Sequence, residues 1–190
     1  AGMRVARRLG AALTHRDFRI LWIGAFTSTV GTWMQNVAKN WLVLDLTNSS
    51  FYLGLDSFLG ELPLILFTLI GGVVADRHSR RLLLSASQYV QMGCAFVLAL
   101  LVYSGAITIW HILMLSFVAG TAQAFGGPAY QSLIPALVPK TDLPNAVALN
   151  SIQFNLGRIV GPMIAGTTLA VLGSWLGQDT GTALCFAING

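Results

Sequence analysis

The sequence predicts an all-α, polytopic membrane helical bundle, and three observations predict it. Charged side chains make up only 9% of the 190 residues while 55% are hydrophobic. That is too few to cover a water-exposed surface, where about a quarter of positions are normally Asp, Glu, Lys or Arg. The run from Leu82 to Pro139 contains none of these four residue types. A soluble domain can bury one such segment of about 20 residues, but not two consecutive ones without a polar face on either. Third, basic residues collect at alternate gaps between the apolar segments.

Taken in order, residues 1–19 hold Arg4, Arg7, Arg8, Arg16 and Arg19. With a net charge of +4 these suggest a nucleic-acid partner, but they stop where a long apolar run begins, as the cytoplasmic flank of a first transmembrane helix does. No nucleic-acid partner is expected. That run is too long for a signal-peptide core and is followed by further apolar segments. The spans are expected at about 20–44, 52–75, 82–103, 108–127 and 144–172, with an incomplete one at 182–190, so that residues 20–190 form one transmembrane helical domain. Residues 45–50 and 104–105 read as turns, 128–144 as the frayed end of the fourth span plus a loop, and 173–179 as a loop. Thr141 or Asp142 caps the fifth span, with Pro144 in its first turn.

The flanks at 1–19, 76–81 and 128–144 hold nine of the eleven basic residues, and those at 45–51, 104–107 and 173–181 hold none. By the positive-inside rule the N-terminus lies in the cytoplasm and the chain in a cell inner membrane. Trp22, Trp41, Trp110 and Trp175 fall near span boundaries, as an aromatic belt does, with Trp33 internal; His111 is expected at the outer interface. Cys94 and Cys185 each sit inside an apolar segment, so neither a disulfide framework nor a zinc site is expected. The first residue is Ala1, with Met3 a candidate start, and the last segment is unfinished, so the polypeptide is expected to continue.

Lipid supplies no hydrophobic force between helices, and close packing relies on small residues. Gly24, Ser28, Gly31 and Gln35 share one face of the first span, and Gly157, Gly161 and Gly166 mark the fifth. Pro63 and Pro162 remove helix bonds and permit bending.

Polar groups within spans each need a reason. Glu61 lies about a third of the way down the second span and reads as a proton-coupling or cation-recognition group, or else as a structural hydrogen bond or cavity wall. Gln35, Asn36, Lys39 and Asn40 form a polar cluster in the outer half of the first span. There Lys39 either snorkels to the interface or pairs with Glu61 or Asp56. Arg158 lies deep in the fifth span and requires an interior partner or water, with Asn150, Gln153, Asn155 and Gln123 as candidate neighbours.

At Gly72-Val-Val-Ala-Asp-Arg-His-Ser-Arg-Arg81 the sequence resembles the loop between helices two and three of the major facilitator superfamily, Gly-x-x-x-Asp-Arg-x-Gly-Arg-Arg/Lys, with Ser79 in place of the second glycine. Asp17-Phe-Arg-Ile-Leu-Trp22, Gly31-Thr-Trp-Met-Gln35, Leu143-Pro-Asn-Ala146 and Asn150 resemble the transmembrane secretion effector branch that contains the enterobactin exporter. The resemblance implies the N-terminal six-helix half of that fold, cut within the sixth helix. It implies a gating loop of Gly72, Asp76, Arg77, Arg80 and Arg81, in which Asp76, Arg77 and Arg80 form a latch whose partner is the C-terminal half. Gly157-Arg-Ile-Val-Gly-Pro-Met-Ile-Ala-Gly166 resembles the exporter pattern Gly-x-x-x-Gly-Pro-x-x-Gly-Gly, with Ala165 at its penultimate glycine. The intramembrane Arg frequent in the family's fourth helix has Gln123 as its nearest polar counterpart.

These features lead to the expectation of a secondary transporter, not an enzyme, that exports a small amphipathic, drug- or siderophore-like compound by alternating access in exchange for protons. Its partners are membrane lipids, a small-molecule substrate and protons; no nucleotide-binding pattern occurs and no cofactor is expected. Competing readings are a lipid or lysophospholipid flippase of the same fold, a non-transporting scaffold or receptor-like protein and, remotely, a soluble helical enzyme.

Overall fold

Backbone N–H and C=O groups surrounded by hydrocarbon must be satisfied within the chain, which leaves helices as the natural state of these apolar segments. The computed structural model describes residues 11–77, 79–176 and 178–190. Among them lie six α-helices: α1 (Arg16–Thr47), α2 (Ser50–Arg77), α3 (Arg80–Tyr103), α4 (Ile109–Leu137), α5 (Leu143–Leu176) and α6 (Gln178–Asn189). A turn of 3-10 helix, Ala11–Thr14, precedes them. By length and composition α2, α3 and α4 can each cross a membrane. Helices α1 and α5, with 32 and 34 residues, exceed the length of about 20 that a crossing needs but carry the polar sets around Lys39 and Arg158.

Local chemistry sets the helix ends. Asn48 adopts a left-handed conformation (φ 47°) and returns its N–H to the Leu44 carbonyl, closing α1. Gly105, at φ 69°, makes the turn after α3. At the start of α4 the N-cap is Thr108, whose N–H donates to Nδ1 of His111, the third residue of the helix, at 3.2 Å, so His111 closes a capping box.

Two of the expected loops are largely helical, and of the segment 128–144 only residues 138–142 remain outside helices. Helix α4 continues past Gly127 to Leu137 with Pro128 and Pro135 inside it. Pro128 leaves the Ala124 carbonyl without its helical donor, and α2 lies against that carbonyl through Gly71, where a Cβ would stand 2.4 Å from the oxygen. The tail of α4 is held by packing: Ile134 and Val138 are buried with Ala12, Phe18, Ala146 and Leu149. The expected loop at 173–179 is also corrected. Helix α5 runs through Gly173 to Leu176 and α6 begins at Gln178, since Gly173 costs the helix only about 1 kcal/mol; residue 177 lies outside the described residues.

Helices α1 and α5 pack against each other through glycines. A Cβ on Gly157 would stand 2.6 Å from the Thr29 side chain, and one on Gly161 would stand 2.6 Å from the Val30 carbonyl oxygen. Helices α2 and α4 meet in the same way, since a Cβ on Gly120 would stand 2.1 Å from the Gly60 carbonyl oxygen. Helix α6 closes the remaining side, burying Phe186 and Cys185 with Met34 and Ala38 of α1, Leu98 of α3 and Ala165 of α5.

Candidate functional site

Three kinds of polar group occupy the interior and open side of this bundle. The first is a buried ion pair. Lys39 Nζ on α1 lies 2.9 Å from Asp56 Oδ2 on α2 and donates to Ser116 Oγ on α4 at 2.9 Å, while the Ser116 hydroxyl donates to Asp56 Oδ1 at 2.5 Å. The Asp56 side chain is 2% exposed and that of Lys39 14%. The pair ties three helices together and uses the Lys39 charge internally rather than at the lipid interface. Ser116 is a member that sequence reasoning did not name.

The second kind comprises inter-helix hydrogen bonds. The Gln35 amide oxygen accepts from Asn189 of α6, and Gly31 packs beneath the same Asn189 side chain. The face of α1 carrying Gly31 and Gln35 is therefore covered by α6, with Asn36 half-buried on the next face. Gln153, buried on α5, donates to Thr29 Oγ1 of α1 at 2.7 Å, and Tyr130 donates to Asn150 Oδ1 at 2.5 Å. Gln123 does not meet these groups. It is exposed on α4, where it accepts from Gln91 Nε2 of α3 at 3.2 Å, and Gln91 also donates to Ser87. Such bonds contribute roughly 1 kcal/mol or less each in a membrane bundle.

The third kind is exposed charge halfway along a helix. Glu61 is exposed on α2 and, among the described residues, pairs with no cation. At 1.5 Å per residue it lies roughly 17 Å from the start of a helix about 42 Å long. Ser57, Glu61 and Thr68 follow one another at helical spacing and are all exposed. Arg158 is exposed on α5, and its guanidinium carbon stands 5.5 Å from the centroid of the Trp33 ring of α1. The Trp33 ring meets Phe154 of α5 edge to face at 6.2 Å. Ser151, Asn155 and Arg158 form an exposed polar stripe on α5. Ile152, Leu156, Ile159 and Met163 form a separate exposed apolar stripe, while Gly157, Gly161 and Ala165 are buried on a third side. Helix α5 thus has one side for α1, one for lipid and one that is polar. Gly166 lies off the packed side, where a Cβ would meet nothing within 4 Å, and Pro162 is half-buried beside Gly161.

At the end that carries the basic flanks, Arg80 donates to the Ser132 carbonyl of α4 at 3.1 Å. Arg77 is exposed. Arg81 lines a cleft of about 310 Å³ with Asp17, Leu133 and Leu137. A Cβ on Gly72 would meet nothing within 4 Å. The Asp76 side chain and His78 lie outside the described residues. At the same end His15 Nε2 is 2.8 Å from Asp142 Oδ2, and the Ala12 N–H donates to Asn145 Oδ1 at 2.9 Å, so the segment before α1 is fastened to the start of α5. Sequence reasoning missed this fastening.

The class defined by these features is a polytopic α-helical membrane protein with ionisable groups placed halfway along its helices. A family model described as transmembrane secretion effector matches residues 9–188. The chain belongs to this family, a branch of the major facilitator superfamily. It is 31% identical over 148 residues to a staphyloferrin A transporter of Staphylococcus aureus, covering 77% of this chain and 37% of that protein. It is 25% identical over 154 residues to macrolide efflux protein A of Streptococcus pyogenes, covering 81% of this chain and 38% of the relative. With the enterobactin exporter EntS of Shigella boydii it shares 29% identity over 161 residues, 84% of this chain and 38% of the relative. The chain therefore spans less than two fifths of the length of the curated relatives it matches. No solved structure matches significantly.

Proposed function

We propose that these helices form the N-terminal half of a secondary transporter that exports a small amphipathic compound across the cell inner membrane, with the N-terminus in the cytoplasm. The observation that carries this reading is the pair of exposed charges, Glu61 and Arg158, halfway along α2 and α5 and outside the buried Lys39–Asp56 pair. Charge at such depth is tolerated beside water or protein but not in lipid, so the two polar stripes border an aqueous path or the second half of the protein. Kinship with a macrolide efflux protein and an enterobactin exporter supports the direction, and kinship with these and a staphyloferrin A transporter supports a small-molecule cargo.

In this reading the two halves rock about the path and expose it to each side in turn. A proton gradient drives the cycle: Glu61 takes a proton from the outer side and releases it inside as cargo leaves. Arg77, Arg80 and Arg81, with Asp76, hold the inner gate through Arg80 on the end of α4 and through contacts with the second half.

The test uses the full-length protein reconstituted in vesicles loaded with a fluorescent amphipathic dye. Export should follow an imposed pH gradient and stop on adding a protonophore. Glu61→Gln should still bind dye but lose the dependence of export on the gradient. Dye movement by wild type that ignores the gradient contradicts proton coupling, and unchanged gradient dependence in the variant removes Glu61 from that role.

A further inference from the structure

Arg158 and Lys39 are the only basic residues inside the membrane-length stretches, and the fold treats them differently. Lys39 has a counter-ion from its own half of the protein, at 2.9 Å and buried. Arg158 is exposed, and among the described residues no carboxylate or other acceptor bonds its guanidinium. What it has is a ring surface. Its guanidinium lies 5.5 Å from the Trp33 centroid, and Phe154, one turn earlier on α5 and 50% exposed, meets the same indole edge to face. A cation over an indole face gains far less than is needed to compensate for a guanidinium kept out of water.

Depth adds to this. Counted along the helices at 1.5 Å per residue, Arg158 lies roughly 22 Å into α5 and Trp33 roughly 26 Å into α1, so the cluster stands near the middle of both. It lies at the border between the α1-packed side of α5 and the polar stripe of Ser151 and Asn155, away from the apolar stripe of Ile152, Leu156 and Ile159. Among the described residues none of the guanidinium's five N–H donors meets an acceptor, and they stand next to an apolar ring surface.

We infer that Arg158, Trp33 and Phe154 form a recognition site for an anionic compound with a flat ring body, the anion on Arg158 and the ring against the two aromatic side chains. This rests on the transporter reading only in taking the ligand to be the cargo. Asn155, three residues before Arg158, donates back to the Ser151 carbonyl at 2.8 Å and is not one of the site's groups. The alternative occupant of Arg158 is a carboxylate from the chain beyond Gly190.

The test uses the full-length protein in detergent and two probes of the same shape, 2-naphthoate and its neutral isostere 2-naphthamide. Equilibrium binding should favour naphthoate about tenfold, which corresponds to about 1.4 kcal/mol. Arg158→Gln should abolish the preference, Arg158→Lys should keep part of it, and Trp33→Leu should weaken both probes alike. A wild-type preference near one, or the same preference in Arg158→Gln, overturns the inference.

A second measurement needs no variant. Phenylglyoxal modification of Arg158, followed by peptide mass spectrometry, should be slowed by naphthoate and not by naphthamide. An Arg158 that resists the reagent without any probe is held by a carboxylate of the protein, and that result also overturns the inference. Because neither measurement involves transport, dye export with no Arg158-dependent binding defeats the site and leaves the transporter reading standing; the opposite pattern defeats only the transporter reading.

Discussion

Lys39 Nζ lies 2.9 Å from Asp56 Oδ2, with both groups removed from water and Ser116 bonded to each. Removing one partner of a buried pair leaves the other charge uncompensated, at a cost of about 3 to 5 kcal/mol, whereas replacing both by apolar groups of similar size is often close to neutral. Asp56→Asn and Lys39→Met should therefore each lower the unfolding temperature of the full-length protein in detergent markedly, and Lys39→Met combined with Asp56→Leu should recover most of the loss. Additive losses in the double variant would show that the two side chains act separately.

The glycines of α5 make a paired prediction. A Cβ on Gly161 would stand 2.6 Å from both the Trp33 side chain and the Val30 carbonyl oxygen and 2.9 Å from the Met34 nitrogen, so Gly161→Val must force α1 and α5 apart. At Gly166 there is open space, and Gly166→Ala should be neutral or gain up to about 1 kcal/mol from helix propensity. Thermal unfolding and the yield of monodisperse protein read both. Equal behaviour of the two variants would contradict the α1–α5 contact.

Much of this architecture is legible in the sequence because hydrocarbon is a demanding solvent. The long uncharged run from Leu82 to Pro139 has few alternatives to helix. Helix ends are less legible. Pro128 and Pro135 look like a stop, yet Gly71 on α2 covers the carbonyl freed by Pro128, and burial of Ile134 and Val138 holds the tail.

For Lys39 the partner was within reach of simple counting. From the turn at 47–50, Lys39 lies roughly 12 Å deep, Asp56 roughly 9 Å and Glu61 roughly 17 Å at 1.5 Å per residue, so Asp56 is the better match. The Arg158–Trp33 contact was not legible, because a rotation of α1 and α5 about their own axes decides it. Pairwise spacing carries no information on that rotation; it is fixed by which glycine faces which backbone.

Orientation gives a further prediction from charge alone. A reporter fused after residue 78 should act on the cytoplasmic side and one fused after residue 106 on the opposite side, since Arg77, Arg80 and Arg81 flank the first position and no basic residue flanks the second. Paired alkaline phosphatase and fluorescent protein fusions in the full-length protein read this directly. Reporters on the same side would break the six-helix count.

Alternating access requires the polar side of α5 to border a path that opens to both sides of the membrane. Replacing the buried Cys94 and Cys185 and placing single cysteines at Ser151, Asn155 and, as a lipid-side control, Ile159 allows that side to be probed with a membrane-impermeant thiol reagent. Ser151 and Asn155 should be labelled from one face of the membrane in the resting protein and from the other when substrate and gradient are supplied, with Ile159 silent throughout. If Ser151 and Asn155 stay as silent as Ile159, or react from one face whatever is supplied, the polar stripe borders no alternating path and the proposed function falls.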